Sequence, residues 1–184
     1  MQKQKMLNHM INYLKSHNIS FQQDFDNGGI RLTMIYKGCE NCPGRILESC
    51  IWFYSNDLEA RTYYTETASN WCKQSENLDS LMRLFNYINS KIWTRASDGL
   101  EGLLYKSVPL HTSRLYMTED DYYDITLTTI VNYDFYELAP LETEDYLTAA
   151  CPDLLNKLSP AIIGVLEKSI DLKTAIQYIN NIAI

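Results

Sequence analysis

The segment Cys39-Glu40-Asn41-Cys42-Pro43-Gly44 is the sharpest chemical signal in the chain, a C-x-x-C on a stretch whose Pro and Gly favour a tight turn. Two thiolates at that spacing can reach one zinc ion, although a structural zinc site takes four ligands. Cys50 and Cys72 are the other cysteines nearest in sequence, Cys50 lies in a strand pattern, and no second C-x-x-C or pair of His completes a set. Three readings stay open for Cys39 and Cys42: a solvent-exposed turn, a zinc site, and a redox pair. The turn is the simplest, because a thioredoxin-type pair opens a helix after a strand. Of the three histidines, His9 and His17 lie off the apolar stripe of an N-terminal helix and read as solvated surface. His111 stands in ordinary loop composition beside Thr112 and Ser113. Glu119, Asp120, Asp121 and Asp124 offer oxygen ligands to a divalent cation, but the alternating acids and central Gly of a calcium loop are missing. No G-x-x-x-x-G-K-[ST], G-x-G-x-x-G or G-x-S-x-G is present, so neither phosphate cradling nor serine hydrolysis has a marker.

Charge is distributed unevenly. Residues 115 to 156 hold ten carboxylates and no Lys or Arg, which accounts for the formal net charge of −7. Residues 1 to 114 balance thirteen bases against eleven acids. Such a field repels phosphate backbones and attracts basic surfaces, so nucleic acid is not expected as a ligand and a basic protein surface is. Solvation of a hairpin and a helix start is the more ordinary role for the same acids. Six of the fourteen tyrosines also fall in this window. Tyrosine gives contact area at low entropic cost, and Tyr122, Tyr123, Asp124, Tyr133 and Tyr136 are the candidate interaction residues.

The elements that must position these groups are read from periodicity. Leu7, Met10, Ile11 and Leu14 mark a helix over 3–17 ended by Asn18. Residues 24–29 read as turn chemistry, and Ile30, Leu32, Met34 and Tyr36 alternate as a strand. Ile46 to Tyr54 reads as a central strand covered on both faces, and Glu59 to Glu66 as the third strand of an antiparallel meander. Asn77 suits an N-cap for a helix over 78–92 with Leu81, Met82, Phe85 and Ile88 on one stripe. Leu103 to Val108 is ambiguous; Arg114 to Met117 and Asp124 to Asn132 form a late hairpin. Helical spacing returns from Thr143, restarts at Pro152, restarts or kinks at Pro160, and ends in a helix capped by Asp171.

With 184 residues, 46% hydrophobic and 21% charged, the chain suits one α+β domain over 1–184, residues 150–184 being a helical extension. The expected architecture is an antiparallel sheet of about five strands with helices mainly on one face. No apolar stretch reaches membrane-spanning length, no signal-like h-region opens the chain, and five cysteines in a domain of this size point to reduced thiols in the cytoplasm. The helix, three strands, helix, two strands, helix order, with Leu81 to Ile88 reading LMRLFNYI and Asn86 and Asn89 following the third strand, resembles the YbjN-like, type III secretion chaperone-like fold. That resemblance implies a small non-catalytic dimeric domain that binds proteins or regulates. The expectation is therefore a chaperone-like interaction domain and not an enzyme, with a protein partner or a second copy as ligand and no membrane. The alternative is a zinc-binding or thiol-redox protein centred on Cys39 and Cys42. The dimer is expected through the strand Asp124 to Asn132, as a sheet edge or face in need of cover.

Overall fold

The structure, a computed structural model, describes residues 2–97, 111–118 and 122–182, with the helix path alone for 92–97. Helix α1 (Gln2–Ser16) ends where Asn18 takes φ 56°, and the Ile19 amide donates to the Leu14 carbonyl at 2.8 Å. A left-handed residue closing a helix in this way satisfies carbonyls that the last turn leaves unpaired. Strands β1 (Phe21–Asp26) and β2 (Gly29–Lys37) then form a hairpin across Asn27 and Gly28, whose φ values of 49° and 77° suit a tight two-residue turn. The turn expected over 24–29 is thus only two residues long, and the residues before it are a strand.

Strands β3 (Ile46–Phe53) and β4 (Asp57–Tyr64) extend the meander, followed by helices α2 (Glu66–Gln74) and α3 (Leu78–Ser97). With β5 (Ser113–Met117) and β6 (Ile125–Asn132), the described residues form a six-stranded antiparallel sheet in the order β1-β2-β3-β4-β6-β5. The α+β class and antiparallel sheet hold, with six strands in place of about five. Helices α4 (Tyr133–Leu138) and α5 (Pro140–Asp145) lead into a π-turn (Tyr146–Ala150), then α6 (Cys151–Leu166) and α7 (Leu172–Asn181). Leu103 to Val108, Glu119, Asp120 and Asp121 lie outside the described residues. Among the described residues, no helix is long and apolar enough to cross a membrane.

One face of the sheet and the helices share a single core. Leu32 and Met34 of β2, Leu47, Ile51 and Phe53 of β3, Leu58 and Tyr64 of β4, and Leu127 and Val131 of β6 pack with Leu81, Phe85 and Ile88 of α3. Leu154, Leu155, Leu158, Ile162 and Val165 of α6 belong to the same core, so the tail expected as an extension is packed into the body of the fold. Cys50 and Trp52 are also buried but stand outside this core, on the opposite face. There the strands cover themselves. Arg31 donates to both oxygens of Asp24 at 2.9 and 2.7 Å and to Asp26 at 2.9 Å, and Trp52 Nε1 donates to Asp26 at 3.2 Å. The guanidinium groups of Arg31 and Arg61 stand 6.0 and 5.2 Å from the Trp52 ring. Among the described residues, side chains of the sheet itself bury this half of β3.

Two prolines mark how the C-terminal helices tolerate a missing donor. The Cys151 amide bonds five residues back to Tyr146, which widens the backbone just before Pro152, whose ring would otherwise meet the carbonyl four residues earlier. Of the restart or kink expected at Pro160, the restart does not occur, and α6 continues through it as one helix. A mid-helix proline costs about 3 kcal/mol. Leu154, Leu155 and Leu158 before it, and Ala161, Ile162 and Val165 after it, are fully or almost fully buried, and each large aliphatic returns about 1.5–3 kcal/mol.

Candidate functional site

The acidic window gives up its candidates unevenly. Asn132 caps α4 by accepting from the Asp134 amide at 2.9 Å, and this fixes the phase of a helix that the apolar periodicity does not reveal. Tyr133 and Tyr136 then face inward and are fully buried, which corrects their assignment as interaction residues. Tyr133 donates to the Tyr54 carbonyl at 2.9 Å, and Tyr136 to Glu144 Oε1 at 2.7 Å. Burial holds both phenols protonated, and the Glu144 carboxylate beside Tyr136 adds to the effect. Tyr123 is half-buried against the core at φ 58°, and Asp124 accepts from Ser69 Oγ at 2.6 Å. Of the five candidates only Tyr122, 68% exposed, is surface.

What the inward tyrosines leave outside is apolar. Phe135 and Leu138, one helical turn apart, are 47% and 74% exposed, and Leu141, after the break at Ala139 and the N-terminal Pro140 of α5, is 54% exposed. Asp134, Glu137 and Glu142 surround them in sequence and are exposed. Helix α1 braces this corner: Gln2 donates to Asp134 at 2.8 Å, Lys5 pairs with Glu137 at 2.7 Å, and Tyr13 donates to Asp145 at 2.6 Å. The Tyr13 phenol is pushed up to about 12, by burial first and then by its bond to Asp145. Glu144, buried behind the corner, has its carboxyl raised by burial, a shift opposed by the Tyr136 bond and by the charges of His9 and His17. Monotony of sign and alternation of phase in YDFYEL are the signals that could have found this corner.

The cysteine loop is exposed at Glu40, Asn41, Gly44 and Arg45, as a solvent-facing turn would be, but its two thiols are covered. Cys42 is 5% exposed at the start of a short 3-10 turn (Pro43–Arg45), with Sγ 3.4 Å from Asn156 Oδ1 and 3.3 Å from Ser159 Oγ, both on α6. Cys39 is half-buried and its thiol lies 3.7 Å from the Tyr36 carbonyl. Burial raises both thiols, Cys42 to about 11. Among the described residues no group of three or more His, Cys, Asp or Glu is placed to hold a metal ion.

His111 lies in a loop, as its neighbours suggested, and is buried there. Its ring stacks on Tyr146 at 5.1 Å between centroids, and Nε2 stands 3.0 Å from Thr143 Oγ1. Thr143 Oγ1 donates to the Ala139 carbonyl at 2.8 Å, so it accepts from the imidazole and Nε2 carries the proton. Nδ1 has no partner among the described residues. Burial lowers the His111 pKa, and the Glu142 charge opposes the shift. Ser113, Thr129, Tyr146 and Cys151 continue the polar cluster, Ser113 Oγ lying 2.6 Å from both Thr129 Oγ1 and Tyr146 OH. The Cys151 thiol is raised to about 11 by burial, so this cluster pairs a neutral imidazole with a protonated thiol and not an ion pair. Compared with protein-family models, with curated proteins and with solved structures, the chain matches none.

Proposed function

We propose that the chain is a non-catalytic protein-interaction domain that docks a basic, amphipathic segment of a partner on the α4–α5 corner. One observation carries this reading. Three of the seven exposed large apolar side chains among the described residues, Phe135, Leu138 and Leu141, stand on the consecutive short helices α4 and α5, within the stretch that has acids and no Lys or Arg. Exposed apolar groups clustered among like charges mark a contact surface, since the apolar groups supply binding energy and the charge selects the partner's sign. Burial of Tyr133 and Tyr136 and the brace from α1 make the corner rigid, which lowers the ordering cost of binding. A chaperone-like or regulatory role of this kind is also what the resemblance to the YbjN-like fold implies.

The test is a photo-reactive residue placed at Leu138, with one at Ile35 on the opposite sheet face as control, in cells that make the protein. The expected result is a partner captured at Leu138 and not at Ile35, through a segment rich in Lys and Arg, with capture lost in a Phe135→Lys background. Equal capture at both positions, or capture through an acidic segment, would overturn the assignment.

A further inference from the structure

We propose that Cys39 and Cys42 close to an intramolecular disulfide under a small-molecule disulfide oxidant, and that closure releases the loop between β2 and β3 from α6. The Cys42 amide donates to the Cys39 carbonyl at 3.0 Å, which makes residues 39–42 a hydrogen-bonded four-residue turn. The ends of such a turn lie within roughly 7 Å between Cα atoms, the range a disulfide spans. The thiols also interact with one another, each entering the other's protonation equilibrium. Access is graded in the order exchange needs. Cys39 is half-buried at the surface, whereas Cys42 lies behind it, and Cys50, Cys72 and Cys151 are 1%, 1% and 3% exposed.

The chemistry follows from that order. The Cys39 thiolate attacks one sulfur of oxidised glutathione, forming a mixed disulfide and expelling one glutathione thiolate. Cys42, having given up its proton, attacks Cys39 Sγ and expels the second, so the protein loses two hydrogens and two electrons and one disulfide is reduced to two thiols. The proton that leaves is the one Cys42 directs at Asn156 Oδ1, 3.4 Å away. The Asn41 amide, at 3.2 Å from the same oxygen, is then the one remaining hydrogen bond among those holding the loop to Asn156. Because burial raises both thiols, thiolate is scarce at neutral pH and the rate climbs about tenfold per pH unit below the thiol pKa.

The experiment uses the full chain incubated with oxidised glutathione over a pH series and read by intact mass and non-reducing peptide mapping. The expected product has lost the mass of two hydrogens, carries a link between Cys39 and Cys42 and no glutathione, and reverts with dithiothreitol. Cys42→Ser, which keeps a small polar group against Ser159, should instead retain one glutathione on Cys39. Amide exchange over residues 39–45 should quicken in the oxidised form. A wild-type product that keeps glutathione as Cys42→Ser does, a link between other cysteines, thiols that all remain reduced at high pH, or unchanged exchange after closure each overturns the proposal.

Discussion

Tyr133 and Tyr136 have their hydroxyls committed inside the fold, and Phe135 and Leu138 are outside by the same helical phase. Residue type alone does not separate the two pairs, because Tyr is as ordinary in a core as at an interface. The phase depends on the Asn132 cap, a single side chain whose role shows only once the end of β6 is known. Asp171 is the contrasting case: its place before an apolar stripe identifies it as a cap in the sequence, and it accepts from the Thr174 amide at 2.7 Å. His111 yields a prediction at this scale. Its folded-state pKa lies below the ordinary value, so the unfolded chain binds the extra proton and stability rises with pH through the window beneath about 6.5. Acidification through that window should cost up to about 1.4 kcal/mol per pH unit, and His111→Gln should flatten the dependence. Urea melts at several pH values check this, and parallel profiles for the two proteins would count against a neutral buried imidazole.

At the scale of elements, the strongly periodic pieces were legible and the short polar ones were not. Helix α3 follows its stripe, and Phe85 on it is 2% exposed. Phe85→Ala should therefore cost about 3–5 kcal/mol in denaturant melts, and a loss under about 1 kcal/mol would mean that the aromatic ring has no packed neighbours. Strand β1 escaped because its residues Gln22, Gln23, Asp24 and Phe25 are all exposed, so no buried face writes an alternation into it. The Asn27-Gly28 pair was the available signal, since it marks a two-residue hairpin and so demands a strand on each side. Helix α2 hid behind the β-favouring run Thr62 to Thr65, whose strand stops at Tyr64. The π-turn before Pro152 and the passage of α6 through Pro160 depend on packing against the sheet, which local composition does not contain.

For the whole molecule, strand order changes where a second copy could sit. Strand β6, expected to meet a second copy by its edge or its face, is not an edge but interior between β4 and β5, and its Ile125, Leu127, Thr129 and Val131 are buried. Among the described residues the edge strands are β1 and β5, and they are unlike. On α3, Asn89 donates to the Leu115 carbonyl at 2.9 Å and accepts from the Leu115 amide at 2.8 Å, so at the middle residue of β5 one side-chain amide takes the bonds a neighbouring strand would make. On β1, Asp24 and Asp26 are paired with Arg31 of the adjacent strand, which removes much of the like-charge repulsion that would keep two such edges apart. Sedimentation at micromolar concentration should therefore show either the 21.4 kDa chain or a dimer, and nothing larger. Asn89→Ala should add larger species, and their absence would mean that the amide plays no part in closing the edge. The consequence of that single amide is a limit on growth. A sheet with two bare ends is a monomer unit for a filament, because each addition presents another bare end; one bolted end turns the same pairing into a terminating step, after which the product has no site left at which to grow.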